Sequence, residues 1–511
     1  MPGNGLWRTK SIEQSIADTD EPGTKLRKDL TAWDLTVFGV AVVIGAGIFT
    51  LTASTAGNIA GPSVSLSFVL AAIACALAAL CYAEFASTVP VAGSAYTFSY
   101  ATFGEFAAWI IGWDLVLEFA VGSAAVAKGW SAYLQTTLGL MGLDVKTEVG
   151  DGIKFDWGAV LLVAVLTALL VVGTKLSSRV SAVITAIKVA VVLLVIVLGI
   201  SYIKAENYSP FIPPAAESGP AAHTGIEQSL FSLITGYSGS TYGVLGMLAA
   251  ASIVFFAFIG FDVVATTAEE TKNPQKAVPR GILGSLAIVT VLYVAVTLVI
   301  TGMVPYTKLA TQPDGTRATL ASAFADNGVD WAATVISVGA LAGLTTVVMV
   351  LMLGQSRVLF AMSRDGLLPR GLAKTGSHGT PTRITIIIGV LVAVAAGFFP
   401  AGKLEEMVNV GTLFAFILVS AGVLVLRKTR PDLSRGFRVP LVPLVPVLAI
   451  LACVWLMLNL TALTWVRFLI WMALGVVVYF VYSRRNSVLG KTGQGRVEPE
   501  PVVRRGEEPG H

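Results

Sequence analysis

The chain has 511 residues, of which 55% are hydrophobic and only 13% are charged, and its mean hydropathy is +0.77. Soluble domains carry about 25% charged residues, so this composition excludes a soluble globular protein and indicates a polytopic membrane protein. We therefore expect a lipid bilayer around the chain and no nucleic-acid partner.

The two ends of the chain differ in character from the rest. Residues 1–30 and 483–511 are polar and predict disordered cytosolic tails. The first 30 residues contain no apolar run, so no cleavable signal peptide is expected. Cys75, Cys81 and Cys453 lie in apolar segments and the chain has three histidines, so we expect no disulfide framework, metal site or cofactor.

Runs of about 17 or more apolar residues predict an all-α integral membrane protein with twelve transmembrane helices, called helix one to helix twelve below. The predicted helices lie near residues 34–57, 63–88, 103–138, 157–172, 179–202, 246–270, 280–303, 331–363, 383–399, 404–426, 444–463 and 466–482.

The distribution of Lys and Arg predicts the orientation of these helices. With both termini in the cytosol, the cytosolic segments hold 26 of the 35 Lys and Arg residues and the external segments hold seven. Basic residues concentrate on the cytosolic side, so both termini are predicted to be cytoplasmic. The connection over 203–245 would then be external, and it either packs over an entrance or is a flexible connection.

Helix one contains Gly45 and Gly47 in the middle of its apolar run. Glycine is a poor helix former, and a helix break inside a membrane is tolerated only where the backbone faces protein or lines a cavity. Transporters use such broken helices to hold a substrate and a coupling ion. The alternative for this glycine pair is close packing between helices.

Helix six has a comparable interruption at Gly260 and Asp262. A carboxylate in hydrocarbon is costly, so Asp262 is expected to cap the second half of a broken helix or to face an aqueous cavity. Interruptions five helices apart indicate inverted repeats whose broken helices cross at a central site.

Ionisable residues inside the predicted helices are further candidates. Asp114 and Glu118 share one face of helix three, and Lys188 lies nine residues beyond Arg179, about 13 Å deep in helix five. Such residues are functional candidates by default, and the alternative is a structural ion pair that fixes helix packing. Lys128 lies nearer the outer end of helix three and is expected to extend its ammonium group towards the membrane surface.

Six motifs are spread over most of the chain. They are Gly93–Tyr96, Gly104-Glu105, Gly112–Leu115, Phe255–Asp262, Thr267–Pro274 and Phe360–Pro369. Together they resemble the amino acid–polyamine–organocation superfamily, and in particular its bacterial cationic amino acid transporter branch. The resemblance implies a leucine-transporter-like fold, with inverted five-helix repeats over 31–202 and 246–426 and two peripheral helices over 444–482. It also implies amino acid transport by alternating access rather than an enzyme.

In that family the α-carboxylate and α-amino groups of the substrate bind the unwound parts of helices one and six. By motif position the resemblance assigns substrate binding to Ile44, Gly45, Ala46, Gly47, Ile48, Phe256, Ala257 and Ile259. Ala46 departs from the family, where a small hydroxyl residue is common, so a side-chain hydrogen bond is not expected there. Phe256 is a candidate to close over the substrate.

The resemblance also bears on Lys188. Sodium-driven relatives hold an ion between helices one, five and eight, and proton-driven bacterial relatives resemble this chain in having a lysine there. Lys188 and Glu118 are therefore the predicted proton-coupling residues. Possible supporting residues are Asp114, Asp262, Thr345 and Thr346. The alternatives are an amino acid exchanger without net proton flux and, less favoured, a channel.

The sequence leaves the substrate open between cationic amino acids and alanine or other small neutral ones. Met349 or Met352 could line the pocket, although methionine more often fills apolar cores. We expect a proton as second partner and a location in the cell membrane, and the oligomeric state is left open.

Overall fold

The computed structural model describes residues 8, 30–45, 47–89, 94–143, 145–150, 154–172, 178–217, 225–236, 240–311, 317–373 and 381–492. Ala46 and nearly all of the predicted N-terminal tail lie outside these residues. The predicted C-terminal tail is described as far as Thr492, and it begins with two short helices, Arg484–Asn486 and Val488–Thr492.

The described chain is mostly helical and apolar. By length and composition, eight segments within it could cross a membrane, and three shorter apolar helices accompany them. The eight segments are Ala32–Thr88, Glu105–Leu140, Val183–Tyr202, Gly243–Ala265, Pro274–Met303, Asp330–Arg364, Ala401–Thr429 and Ala462–Asn486, and the shorter helices are Trp157–Val172, Thr382–Phe398 and Leu444–Leu458. This pattern is that of a multi-pass membrane protein.

The observed helices lie within a few residues of the predicted ones. Helices two to five are Val64–Thr88, Glu105–Leu140, Trp157–Val172 and Ser178–Gly199. Helices seven to twelve are Pro274–Met303, Asp330–Arg364, Thr382–Phe398, Ala401–Thr429, Leu444–Leu458 and Ala462–Val478.

Helix one is interrupted where its glycines predict a break. Its first half, Ala32–Val43, begins with a capping box between Thr31 and Asp34 and ends at Ile44, whose backbone is extended (φ −68°, ψ 93°). Its second half starts at Gly47 and continues as π- and α-helical turns to Ala60.

Helix six is also interrupted. Its first half, Gly243–Val254, tightens into a 3₁₀ turn over Phe255–Phe258, and the chain is extended at Ile259 (ψ 136°). Gly260 has φ 117°, which glycine adopts readily because it has no Cβ. A 3₁₀ segment, Phe261–Glu270, follows and forms the second half.

The connections between helices are partly structured. Helix Ser94–Thr102 links helices two and three, and a two-stranded antiparallel ribbon pairs β1, Glu148–Val149, with β2, Phe155–Asp156. In the long connection, β3, Ala216–Glu217, pairs with β4, Ser240–Thr241.

The long connection also fixes one end of the molecule. Tyr242 donates from its backbone N–H to Ile59 O, and its hydroxyl donates to Gly57 O, both in the second half of helix one. The described parts of this connection therefore pack on helix one. We call this end of the molecule the loop end, and the opposite end, where Arg8 and Val488–Thr492 lie, the tail end.

Candidate functional site

The interruptions of helices one and six meet in the interior of the molecule. A Cβ added at Gly47 would lie 2.2 Å from Ala257 Cα and 2.9 Å from its backbone nitrogen. No side chain fits between two backbones at this distance, so the crossing requires glycine at position 47. Gly47 therefore allows the close packing between helices that was the alternative interpretation of this glycine pair. It also lines a cavity.

A small cavity lies beside this crossing. The space open to the centres of water molecules is about 30 Å³, enough for about two waters. It is lined by Val42, Val43, Gly45, Gly47, Glu118, Gly122, Val126, Phe256, Ile259, Val347, Leu351 and Val408. These residues come from helices one, three, six, eight and ten, and Glu118 is the charged residue among them.

The cavity collects five of the predicted site residues, namely Gly45, Gly47, Glu118, Phe256 and Ile259. Ala257 touches the crossing through Gly47. The side chains of Ile44 and Ile48 are fully buried and do not belong to the cavity lining.

A second, larger cavity of about 350 Å³ lies towards the loop end. Leu51 of helix one and Ile253 of helix six line it, together with charged residues such as Arg317 and Glu405, which form an ion pair at 3.0 Å. Ile253 is one helical turn before Phe256, which lines the small cavity.

Lys188 binds the broken end of helix one. Its ammonium group is buried and donates a hydrogen bond of 2.8 Å to the carbonyl of Ala41, in the last turn of the first half-helix. Carbonyls in the last turn of a helix lack intrahelical partners and favour a cation. On helix eight, a Cβ added at Gly343 would lie 3.0 Å from Lys188 Cγ, so Lys188 touches helices one and eight.

The two threonines expected beside Lys188 form other hydrogen bonds. The hydroxyl of Thr345 donates to Leu341 O at 2.8 Å, and that of Thr346 donates to Gly343 O at 2.7 Å. Both bonds lie within helix eight. The contact of helix eight with Lys188 that the structure shows is made by Gly343.

The buried acids do not pair with Lys188. In the part of the chain that the structure describes, Asp114, Glu118 and Asp262 form no ion pair, and both carboxylate oxygens of Asp114 lack a hydrogen-bond donor. The ion-pair alternative for Lys188 is thus not realised, because Lys188 reaches helix one while Glu118 faces the cavity. Asp262 is buried in the second half of helix six with Oδ1 unpaired.

Lys128 differs from its sequence-based expectation. Its side chain is buried, and its ammonium group lies 3.2 Å from both Glu148 and Asp156. The ribbon after helix three supplies these carboxylates, so the charge is neutralised locally instead of extending to the membrane surface.

Two tyrosines at the break of helix one were not predicted from the sequence as residues of the site. Tyr293 of helix seven donates to Val43 O at 2.6 Å, and Tyr133 of helix three donates to Phe49 O at 2.7 Å. Tyr293 satisfies a backbone carbonyl that the interruption frees, which a membrane interior requires. Tyr133 joins helix three to the second half of helix one. A hydroxyl-bearing aromatic residue inside an apolar helix was the available signal.

The residues of helices eight and ten that line the cavity were also not predicted from the sequence. Val347, Leu351 and Val408 line the cavity, whereas Met349 and Met352 are buried outside it. Which face of a long apolar helix points inward is set by its packing, and hydropathy does not show it.

A model of the amino acid permease family matches residues 30–482. The chain belongs to this family. It is 43% identical to the methylthioribose transporter of Bacillus subtilis (strain 168), over 96% of this chain and 100% of the relative. It is 44% identical to the branched-chain amino acid permease BcaP of the same strain, over 95% and 99% of the two chains.

A plant relative is also similar. The chain is 38% identical to the vacuolar cationic amino acid transporter 4 of Arabidopsis thaliana, over 84% of this chain and 68% of that one. The relatives are permeases and transporters, so the protein is a transporter of the amino acid–polyamine–organocation superfamily and not an enzyme. The resemblance identified from the six motifs is confirmed.

Proposed function

We propose that this permease is a secondary active amino acid transporter that couples uptake to protons by alternating access. The observation that carries the proposal is the small cavity at the crossing of two interrupted helices, with a larger cavity on its loop-end side. Interrupted helices with a site between them are the usual substrate site of such transporters.

The substrate is proposed to bind at the two interruptions, with Gly45, Gly47, Phe256 and Ile259 in contact with it. Ile44, Ile48 and Ala257 act through backbone groups at the same place, and the proposal extends to Ala46 by its position between the glycines. Phe256 is proposed to separate the bound substrate from the larger cavity.

Proton coupling is assigned to Lys188, with Glu118 as the second candidate and Asp114 and Asp262 as supporting acids. The charged ammonium of Lys188 holds helix five to the first half of helix one through Ala41. Loss of the ammonium proton would remove this charge-assisted hydrogen bond and release the contact. A contact that exists in one protonation state biases one conformation, which is the requirement for coupling.

The proposed topology has twelve membrane spans in the cell membrane, arranged as two inverted five-helix repeats and two peripheral helices, with both termini in the cytosol. The Lys and Arg distribution supports this orientation. Under it, the larger cavity faces the outside and Lys188 lies on the cytosolic half of the molecule.

Uptake into proteoliposomes tests the function. Purified protein should accumulate labelled amino acid against its gradient when the outside is made acidic, and a protonophore should abolish this accumulation. Accumulation only with unlabelled amino acid inside would favour exchange, and non-saturating flux would favour a channel. Methylthioribose belongs in the substrate screen because one relative bears its name.

A further inference from the structure

A basic surface lies at the tail end, where two parts of the chain meet. Helix seven ends at the loop end, because its Gly302 O accepts a hydrogen bond from the N–H of Lys204 in the long connection, so the first turn of helix seven lies at the tail end. The connection between helices ten and eleven, residues 430–443, reaches the same place. A Cβ added at Gly436 would lie 2.6 Å from Gln275 Cβ in that first turn.

A buried acid holds this connection in place. Glu84, near the end of helix two, forms ion pairs with Arg427 at 2.5 Å and with Arg435 at 3.3 Å. It also accepts a hydrogen bond of 2.7 Å from the backbone N–H of Val439. Two arginines therefore neutralise Glu84, and it is not available to the exposed cations nearby.

Three exposed cations flank the contact at Gly436. Lys276 and Arg280 are four residues apart on one face of helix seven, and Arg438 lies two residues beyond Gly436. Within the described part of the chain, none of these three side chains belongs to an ion pair. Their charges are therefore open to a ligand.

The local balance of charge favours an anionic ligand. Residues 272–280 and 427–443 contain eight Lys and Arg residues and one acid, Asp432. Asp432 pairs with Arg430 at 3.3 Å. A surface with such an excess of one sign attracts the opposite charge.

Exposed apolar side chains continue from this surface towards the middle of both helices. Val291 lies about three turns beyond Arg280 on the same face of helix seven and is exposed. On helix eleven, Leu444, Leu448 and Leu451 are exposed and share one face. Helix two packs against both helices, which keeps the two apolar stripes near each other. Cations at the end of an apolar surface match a phospholipid, whose phosphate is joined to acyl chains.

We propose that this surface is a binding site for an anionic phospholipid. The headgroup phosphate binds Lys276, Arg280 and Arg438, and the acyl chains lie along the exposed apolar residues of helices seven and eleven. This inference does not depend on which substrate the protein carries or on proton coupling. It assigns to the tail end a lipid partner that is distinct from the bulk bilayer.

Lipid titration followed by native mass spectrometry tests the site. The purified full-length protein in detergent is titrated with dioleoylphosphatidylglycerol and, separately, with dioleoylphosphatidylcholine. The wild-type protein should bind phosphatidylglycerol at least about tenfold more tightly. The combined variant Lys276→Gln, Arg280→Gln and Arg438→Gln should weaken this binding by about a hundredfold, because each basic residue near an anionic lipid surface contributes about fivefold.

Arg484→Gln combined with Arg485→Gln is the matched control. Both residues are exposed at the tail end but lie outside the proposed site. Their loss should change phosphatidylglycerol binding less than twofold. A charge-conserving variant, Lys276→Arg with Arg280→Lys and Arg438→Lys, should keep wild-type binding, and thermal unfolding in detergent without added lipid shows that each variant is folded.

Three results would overturn the inference. One is equal binding of the two lipids by the wild-type protein. Another is an equal loss of binding in the Arg484 and Arg485 variant, which would mean that the whole basic face acts as a diffuse charge. The third is displacement of phosphatidylglycerol by an equal concentration of glycerol phosphate, which would mean that the surface binds free phosphate and makes no use of the acyl chains.

Discussion

Single residues at the centre of this molecule donate hydrogen bonds to backbone carbonyls on both sides of the helix-one break. Lys188, Tyr293 and Tyr133 each donate to a carbonyl of helix one, at Ala41, Val43 and Phe49 respectively. Lys188 differs from the tyrosines because its donor group carries a charge that a proton can remove. This difference makes it the residue whose substitution tests coupling.

Lys188→Ala and Lys188→Met should lose uphill uptake driven by a pH gradient while retaining substrate binding. The physical reason is that the variants lack the ammonium group, so the charge-assisted hydrogen bond to Ala41 O is absent at every pH. Protons at this position then no longer bias the conformation. Uptake into proteoliposomes at several pH values and binding of the same labelled amino acid are the two measurements.

Thr345→Val is the control for this pair of variants. Its hydroxyl donates within helix eight, so its loss should leave the pH dependence of uptake unchanged. If a Lys188 variant still concentrates substrate with wild-type pH dependence, Lys188 is structural. Glu118, which lines the cavity, and Asp262 are then the next residues to substitute.

At the scale of elements, the interruption of helix six depends on a backbone conformation that one residue provides. Gly260 has φ 117°, and a Cβ added there would lie 2.7 Å from Val42 Cγ1 in helix one. The break is thus fixed by local conformation and by the neighbouring half-helix. Asn409 of helix ten contributes as well, since its Nδ2 donates to Ser252 O in the first half of helix six at 2.8 Å.

Gly260→Ala should destabilise the protein by about 2 kcal/mol or more, because a strained conformation costs about 1–3 kcal/mol and the collision with Val42 adds to it. Gly328→Ala isolates the cost of the strained backbone conformation, since Gly328 has φ 73° and nothing lies within 4 Å of a Cβ added there. Thermal unfolding in detergent should show the larger decrease in Tm for Gly260→Ala. Equal decreases in Tm for the two variants would mean that the side chain of Val42 moves aside without cost in stability.

On the scale of the whole molecule, the two ends are built differently. At the tail end, the buried carboxylate of Glu105 accepts hydrogen bonds from Arg8, Tyr100, Tyr479 and Ser487, which joins both terminal regions to the start of helix three. The loop end instead contains the larger cavity. The proposed alternating access requires an asymmetry of this kind between the two ends of the molecule.

The proposed topology predicts the sides of two connections. Reporter fusions after Gly315 and after Thr375 should report the external and the cytosolic side, because the basic residues between helices eight and nine favour the cytosol. A fusion after His511 should give the same side as the one after Thr375. Signals from Gly315 and Thr375 on one side would contradict the assignment of helix eight as a single span.

Several features of this protein follow from the sequence by itself. Long apolar runs located the helices to within a few residues, and Gly45, Gly47 and Gly260 marked the breaks. Six motifs identified the superfamily. These signals succeed because the hydropathy of a run and the helix-breaking effect of glycine are local properties, which each segment has whatever its neighbours are.

The tertiary structure alone decided which groups meet. It assigned Lys188 to the carbonyl of Ala41 instead of to Glu118, and placed Gly122 in the cavity where the sequence argument had considered Met349 and Met352. Contacts of this kind depend on the rotation of each helix about its axis and on neighbours far away in the chain. A continuously apolar helix shows no periodic pattern that would give this rotation, so packing against the other helices determines it.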